Sequence, residues 1–383
     1  MKMIEIELTG AEVLMPSGIE AATLSLAQGQ IADAPAGRAV DLTGYRILPG
    51  IIDVHGDGFE RHMAPRRGAM KQMNEGIAAA EAEIAANGIT TAVLAQFVSW
   101  EGGLRGLDFA NQVFDAMRAT REDVVTDLRP QLRFETHMLE LYDDLPARIA
   151  DWQVEYVVFN DHLPHDRLAQ GRKPPRLTGQ ALKAGRNPDV HFQMLLDMHA
   201  RGGHVPAALD ALCKALAEQG VRLGSHDDHT TGQRATWQAR GAHVAEFPET
   251  LEAAEAAKTA GDLVVLGSPN VVRGGSHKGN ASALDLIAMG ICDAIASDYH
   301  YPSPRRAALM LAKSGLMGIE GAWALVSSGP AAVLGLTDRG TLEPGKRADL
   351  VILDDRDRVA ATISGGRVSY MTGDIAQRFV AAA

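Results

Sequence analysis

Hydrophobic and polar positions change texture twice along the chain. Up to about Arg46 they alternate in short segments such as Ile4-Glu5-Ile6-Glu7-Leu8 and Ala22-Thr23-Leu24-Ser25-Leu26, a period of two that predicts half-buried strands. The far end repeats this texture at Asp349-Leu350-Val351-Ile352-Leu353 and from Val359 to Tyr370, with Gly365-Gly366 as a turn between short strands. The two ends are expected to join as one small β-sandwich domain, residues 1–47 with 339–383.

Between them, apolar runs of strand length alternate with Ala-rich runs of helical character. The strands are expected at Ile47 to Val54, Ile89 to Leu94, Leu132 to Thr136, Glu155 to Phe159, Val221 to Ser225, His243 to Phe247, Leu263 to Leu266 and Asp293 to Ala296. Helices are expected at Asn74 to Ala86, Glu249 to Ala260 and Ala283 to Met289, each bounded by Gly or Asn. Repeated βα units imply an α/β fold around a parallel sheet. Eight of them across residues 48–338 predict a closed (β/α)8 TIM-type barrel, whose chemistry belongs at the carboxyl ends of the strands. An open doubly wound sheet is the other arrangement, but no glycine-rich nucleotide fingerprint follows the first strand.

With 383 residues, 46% hydrophobic and 22% charged, the chain has enough apolar surface for a large core. A formal charge of −11 argues against binding nucleic acid through a broad basic face. An anionic substrate would need local basic loops, and these occur at Arg61, Arg66 and Arg67, at Arg273 to Lys278, and at Arg305 and Arg306. Any one of them alone is as readily a solvated face. No apolar run reaches bilayer length, and Met1 to Glu7 lacks the apolar core of a signal peptide, so a cytoplasmic protein without a membrane partner is expected. Cys213 and Cys292 lie in apolar surroundings and read as buried free thiols rather than a disulfide.

The segment Leu48-Pro49-Gly50-Ile51-Ile52-Asp53-Val54-His55-Gly56-Asp57 carries the first chemical signal. An apolar strand ends in a His-x-Asp pair, and residues two apart on a strand share a face, an arrangement suited to a divalent metal. Similar residues follow other strands: Glu135 and His137 the third, Asp161 and His162 the fourth, His226 with Asp227 and Asp228 the fifth, and Asp298 the eighth. Taken singly, a strand-end histidine is more often a hydrogen-bonded structural residue, and a strand-end aspartate often caps the next helix. As a set, His55, Asp57, Glu135, His162, His226 and Asp298 offer two divalent cations a shared site with one bridging carboxylate. Zinc is expected first, and manganese or iron also suits such mixed donors. His191, His199 and His204 fall in a helix-rich insertion and read as surface or packing residues, whereas His62, His165, His229, His277 and His300 fall on loops that reach toward substrate.

The strand ending Pro49-Gly50-x-x-Asp53-x-His55, the later His-bearing strand ends, Asp298, and the tail Gly340-Thr-Leu-Glu-Pro-Gly-Lys-Arg-Ala-Asp-Leu-Val resemble the amidohydrolase superfamily. Within it the chain is most similar to the PhnM family, diphosphatases of the carbon–phosphorus lyase pathway. That likeness rests on Asp53 to Arg66, Gly224-Ser-His-Asp-Asp, Gly267-Ser-Pro-Asn-Val-Val-Arg-Gly-Gly-Ser-His-Lys-Gly-Asn, and Ala296-Ser-Asp-Tyr. The resemblance implies a binuclear metal centre in which Asp57 replaces a second histidine. It also implies hydrolysis of α-D-ribose 1-methylphosphonate 5-triphosphate to the 5-phosphate and pyrophosphate, with Asp298 taking up the proton of the attacking water. Arg61, Arg66, Asn270, Arg273, Ser276, His277 and Lys278 then become candidates for binding the phosphates. The chain departs from the pattern where Gly58 replaces a small polar residue. It also departs in placing Glu135, His162 and His226 on strands three, four and five, where the superfamily usually uses four, five and six. An amide, imide or amidine hydrolase with the same centre is one alternative. A noncatalytic barrel that binds partners in an enzyme assembly is another, and a homo-oligomer remains open.

Overall fold

The computed structural model describes residues 3–64, 72–274 and 281–381. Arg66, Ser276, His277 and Lys278, four of the expected substrate contacts, lie outside them. The alternating segments at the two chain ends form two sheets. One has the order Gln30–Ala32, Leu24–Ala27, Ile6–Thr9, Arg38–Asp41. The other has the order Arg367–Met371, Val359–Ser364, Leu350–Leu353, Arg46–Pro49, Glu12–Met15, Gly18–Ala21. In the second sheet the ends of the chain interleave, Leu350–Leu353 running antiparallel to Arg46–Pro49 with Ile352 opposite Ile47. Both sheets feed one apolar cluster containing Leu8, Leu26, Ile47, Leu350, Ile352 and Ile363, onto which the last helix, Gly373–Ala381, lays Ile375 and Phe379.

The central region is a (β/α)8 TIM-type barrel fold. Its eight strands follow one another in chain order: Ile51–Gly56, Ile89–Val98, Asp127–Glu135, Tyr156–Asn160, Arg222–His226, Ala242–Glu246, Leu263–Gly267 and Ala294–Ala296. All ten residues of the second strand are buried, as expected where a parallel sheet is covered on both faces. The run expected at Ile47 to Val54 is in fact two strands in two sheets, divided at Gly50. A Cβ on Gly50 would come within 2.3 Å of Thr90 Oγ1, so only glycine lets the chain cross there. The eighth strand returns beside the first through a parallel bridge between Gly56 and Asp298. Helices fall close to their expected spans at Met73–Ala86, Leu251–Thr259 and Ala283–Ala288. The middle one starts later than Glu249 because Thr250 is its N-cap, its hydroxyl accepting from Ala253 N–H at 3.1 Å.

The chain divides into two compact units, Met1–Leu94 with Ala119–Arg129 and Leu263–Ala383, and Ala95–Arg118 with Pro130–Asp262. In the second unit, Trp100, Leu163, Leu168, Leu177, Leu195 and Met198 form an apolar cluster beneath the helical insertion. Also in this unit, the buried Arg234 pairs with Asp228 at 2.9 Å and Asp262 at 2.6 Å. Among the described residues, no helix is long and apolar enough to cross a membrane.

Candidate active site

In the first unit the first and eighth strands are locked together at their carboxyl ends. Asp57 N–H donates to Asp298 O at 2.8 Å and Asp298 N–H donates to His55 O at 2.9 Å. Below them the buried Asp53 carboxylate accepts from Ser297 N–H at 2.9 Å and from its hydroxyl at 2.5 Å. Burial raises the Asp53 pKa to about 6 although the Ser297 hydrogen bonds oppose the rise. Gly56, between His55 and Asp57, is required by this closure, because a Cβ there would meet Asp53 Oδ2 at 2.9 Å and Ser297 Oγ at 3.0 Å. His55 is fully buried, and Asp57 and Asp298 are half-buried.

Two of the expected phosphate-binding cations converge on the loop after Asp298. Arg61 Nη1 donates to Tyr299 O at 3.2 Å, and Arg273 Nη2 donates to the Tyr299 hydroxyl at 2.6 Å. Arg61 also lies 5.7 Å above the Tyr301 ring and is ion-paired with Glu83. Asn270 is half-buried on the short helix Ser268–Arg273 that follows the seventh strand. Gly58 now has a physical reason: a Cβ would approach Arg61 Nη1 and Tyr299 O to 3.1 Å each. Arg305 does not belong to a basic loop. It lies in the helix Ser303–Lys313 and donates to the backbone carbonyl of Asp357.

In the second unit Glu135, His162, Asp227 and His226 meet. Glu135 is fully buried, with Oε1 at 2.5 Å from His162 Nδ1 and Oε2 accepting from His162 N–H at 3.1 Å. Asp227 Oδ2 is 3.5 Å from His162 Nε2 and 3.1 Å from His226 Nδ1. Arg133 Nη2 stands 3.1 Å from His226 Nε2 and its guanidinium lies 4.3 Å above the Phe97 ring. Burial works to lower the His162 pKa, but the hydrogen bonds its ring donates to Asp227 and Glu135 outweigh it and raise the value to about 9. Burial works to raise that of Asp227, and His226 with His162 drive it far below the carboxylate range. His162 is therefore held as an imidazolium between two carboxylates. The count of strands three, four and five for these donors stands as read from the sequence.

Asp227, Phe247 and Asp298 adopt left-handed backbone with φ of 60°, 53° and 54°, each just past the end of a barrel strand. Non-glycine residues pay for that conformation, and such strain concentrates at functional positions. The Phe247 ring meets His226 edge-on at 5.0 Å.

Sequence reasoning passed over Glu246. It ends the sixth strand fully buried, with Oε1 accepting from the Tyr156 hydroxyl at 2.7 Å and from Gln131 Nε2 at 3.0 Å. Val244 and Glu246 share a strand face, but no local signal marks the distant partners that hold Glu246. A second polar group was split among readings: His137, Asp161 and His165 place ligand atoms within 4.8 Å of one another. His199, read as a surface or packing residue, hydrogen-bonds His165 at 2.9 Å. His191 does pack, buried with its ring 5.9 Å from that of Trp100.

An eight-stranded parallel barrel carrying imidazoles and carboxylates just past its strands defines the class, a barrel hydrolase with donors suited to divalent cations. The chain belongs to the amidohydrolase family, whose profile matches residues 59–370. It is 32% identical over 331 residues, 83% of this chain and 86% of the other, to the α-D-ribose 1-methylphosphonate 5-triphosphate diphosphatase of Escherichia coli strain K12. An adenine deaminase of Methylobacterium sp. strain 4-46 is 26% identical over 348 residues, 86% of this chain and 51% of that protein. Among solved structures, a triazine hydrolase variant superposes with a TM-score of 0.65 at 13% identity over 100% of this chain and 99% of the other. The N-acetylglucosamine-6-phosphate deacetylase of Pasteurella multocida does so with 0.63 at 11% identity, over 95% and 99%.

Proposed function

We propose that the chain hydrolyses a triphosphorylated ribose phosphonate, α-D-ribose 1-methylphosphonate 5-triphosphate, to the 5-phosphate and pyrophosphate within phosphonate metabolism. The observation that carries this reading is the convergence of Arg61 and Arg273 on Tyr299, immediately after Asp298. Two guanidinium groups brought from different helices to one loop suit a polyanion far better than a neutral amide. The diphosphatase of E. coli, alike over most of both chains, supports the same substrate class.

His55, Asp57, Glu135, His162, His226 and Asp298 would hold two divalent ions, zinc first among them. The imidazole nitrogens and carboxylate oxygens fit such ions, and His55 and Glu135 among them are buried. Bound there, the ions supply Lewis acidity and a water acidified toward neutral pH. Asp298 would orient the attacking water and accept its proton at the carboxylate while its backbone stays fixed to His55 and Asp57. Arg61 and Arg273 neutralise the phosphates and stabilise the departing pyrophosphate, with Asn270, Arg66, Ser276, His277 and Lys278 as further contacts. Residues 48–338 supply this barrel, and residues 1–47 with 339–383 the accompanying small domain.

A second reading, hydrolysis of a C–N bond, is favoured by the likeness to adenine deaminase. Phosphorus NMR of the triphosphate incubated with the protein, with and without a chelator, decides between them. Chelator-sensitive appearance of pyrophosphate is the expected result. Ammonia release from adenine, with an unchanged phosphorus spectrum, would select the second reading. Arg273→Ala is expected to raise KM for the triphosphate about tenfold or more, as loss of a charge-assisted contact does, with bound metal unchanged.

A further inference from the structure

The second unit holds a cluster of imidazoles that the proposed reaction does not use. His137 follows the third barrel strand, Asp161 the fourth, and His165 opens the helix His165–Ala169. Asp161 and His162 are neighbours in sequence yet serve different partners. His162 reaches Glu135 and Asp227, whereas Asp161 Oδ1 is 3.5 Å from His137 Nδ1 and its Oδ2 is 3.1 Å from His165 Nε2. One ligand atom from each of His137, Asp161 and His165 lies within 4.8 Å of the other two, close enough for all three to bind one ion.

We infer that His137, Asp161 and His165 form a second metal site for a zinc-class divalent ion, distinct from the proposed catalytic centre. Two features mark it as built. His165 turns its other nitrogen, Nδ1, to His199 Nδ1 at 2.9 Å, the orienting hydrogen bond that a metal-bound histidine characteristically makes through its free nitrogen. The carriers are also fixed in place: Leu163 and Leu168 flank His165, Met198 adjoins His199, and all three belong to the buried apolar cluster of the insertion. Asp161 is held further by Leu163 N–H, which donates to Oδ1 at 3.2 Å. Two nitrogens and one oxygen select zinc, cobalt or nickel over magnesium or calcium, which prefer all-oxygen shells. The ion would tie the segments after the third and fourth strands to the helical insertion.

Zinc binding to the full-length chain after chelator treatment and dialysis tests this, with elemental analysis for stoichiometry and the visible spectrum of the cobalt form for coordination. His165→Gln is expected to bind one zinc ion fewer per chain than the parent, with unchanged circular dichroism, and to lose the corresponding part of the cobalt spectrum. His226→Ala, which removes a proposed catalytic ligand, is expected to retain an ion that adding His165→Gln abolishes. His199→Gln, which touches no ion, is expected to weaken zinc binding at this site about tenfold without changing the stoichiometry. Equal zinc content in the parent and His165→Gln would overturn the inference, as would a zinc affinity that His199→Gln leaves unchanged. None of these readouts involves turnover, so a failed phosphorus NMR experiment would leave this outcome intact, and the reverse holds too.

Discussion

Asp298 offers different atoms to its backbone bridge and to its proposed catalytic role, and one substitution can separate them. Its backbone bridges the first and last strands, and the proposed proton acceptor is its carboxylate. Asp298→Asn is therefore expected to keep the fold, by circular dichroism, and to lower kcat roughly 10²- to 10⁴-fold, the usual worth of a positioned proton acceptor. A fall in melting temperature matching the loss of rate would contradict this division. Burial pushes the Cys213 thiol up to about 12, leaving almost no thiolate at neutral pH. Timed iodoacetamide labelling read by mass spectrometry should modify the half-buried Cys292 first and Cys213 only on unfolding. Both cysteines were legible as free thiols from their apolar neighbours, but the half-exposure of Cys292 was not. Glu246 escaped notice for a related reason: its partners Gln131 and Tyr156 are 115 and 90 residues away in sequence, and local pattern carries nothing about such pairings.

At the scale of elements, every barrel strand was visible as an apolar run, because a parallel sheet covered on both faces demands one. The limits were less visible where polar side chains find distant partners. The third strand begins at Asp127 rather than Leu132, since Asp127 and Arg129 form an ion pair at 3.1 Å and Asp127 also meets Arg339 at 2.6 Å. Asp228, read among strand-end donors, instead anchors the helix Thr231–Ala239 through Arg234, which also holds Asp262. Arg234→Ala would strand two buried carboxylates. We expect a loss of about 3–5 kcal/mol, seen as a lower midpoint in urea, and a shift under about 1 kcal/mol would show the carboxylates finding other partners.

Across the whole molecule, the tail motif acts as an ionic clasp. Arg347 pairs with Asp349 at 2.6 Å, and Arg339 reaches both Asp127 and the hydroxyl of Thr91 on the second barrel strand, at 2.6 and 2.8 Å. Burial works to raise the Asp127 pKa, but Arg129, Arg339 and Arg347 outweigh it and hold the value below the usual carboxylate range. A carboxylate depressed in the folded state contributes fully above its unfolded pKa, near 4 on average, and that contribution fades as pH falls through the folded value. Calorimetry from neutral pH downward should show Tm dropping below about pH 4, and Asp127→Asn should shrink that drop while lowering Tm near neutrality. An acid limb identical in the variant would remove Asp127 from the account. The left-handed turns at Asp227, Phe247 and Asp298 bear on how this protein can be altered. Glycine would relax the backbone there by about 1 kcal/mol while deleting the carboxylate of Asp227 or Asp298, or the Phe247 ring beside His226. Selection in the laboratory for thermal endurance alone is expected to reach those three positions, and the role proposed for Asp298 predicts hardier, slower variants there.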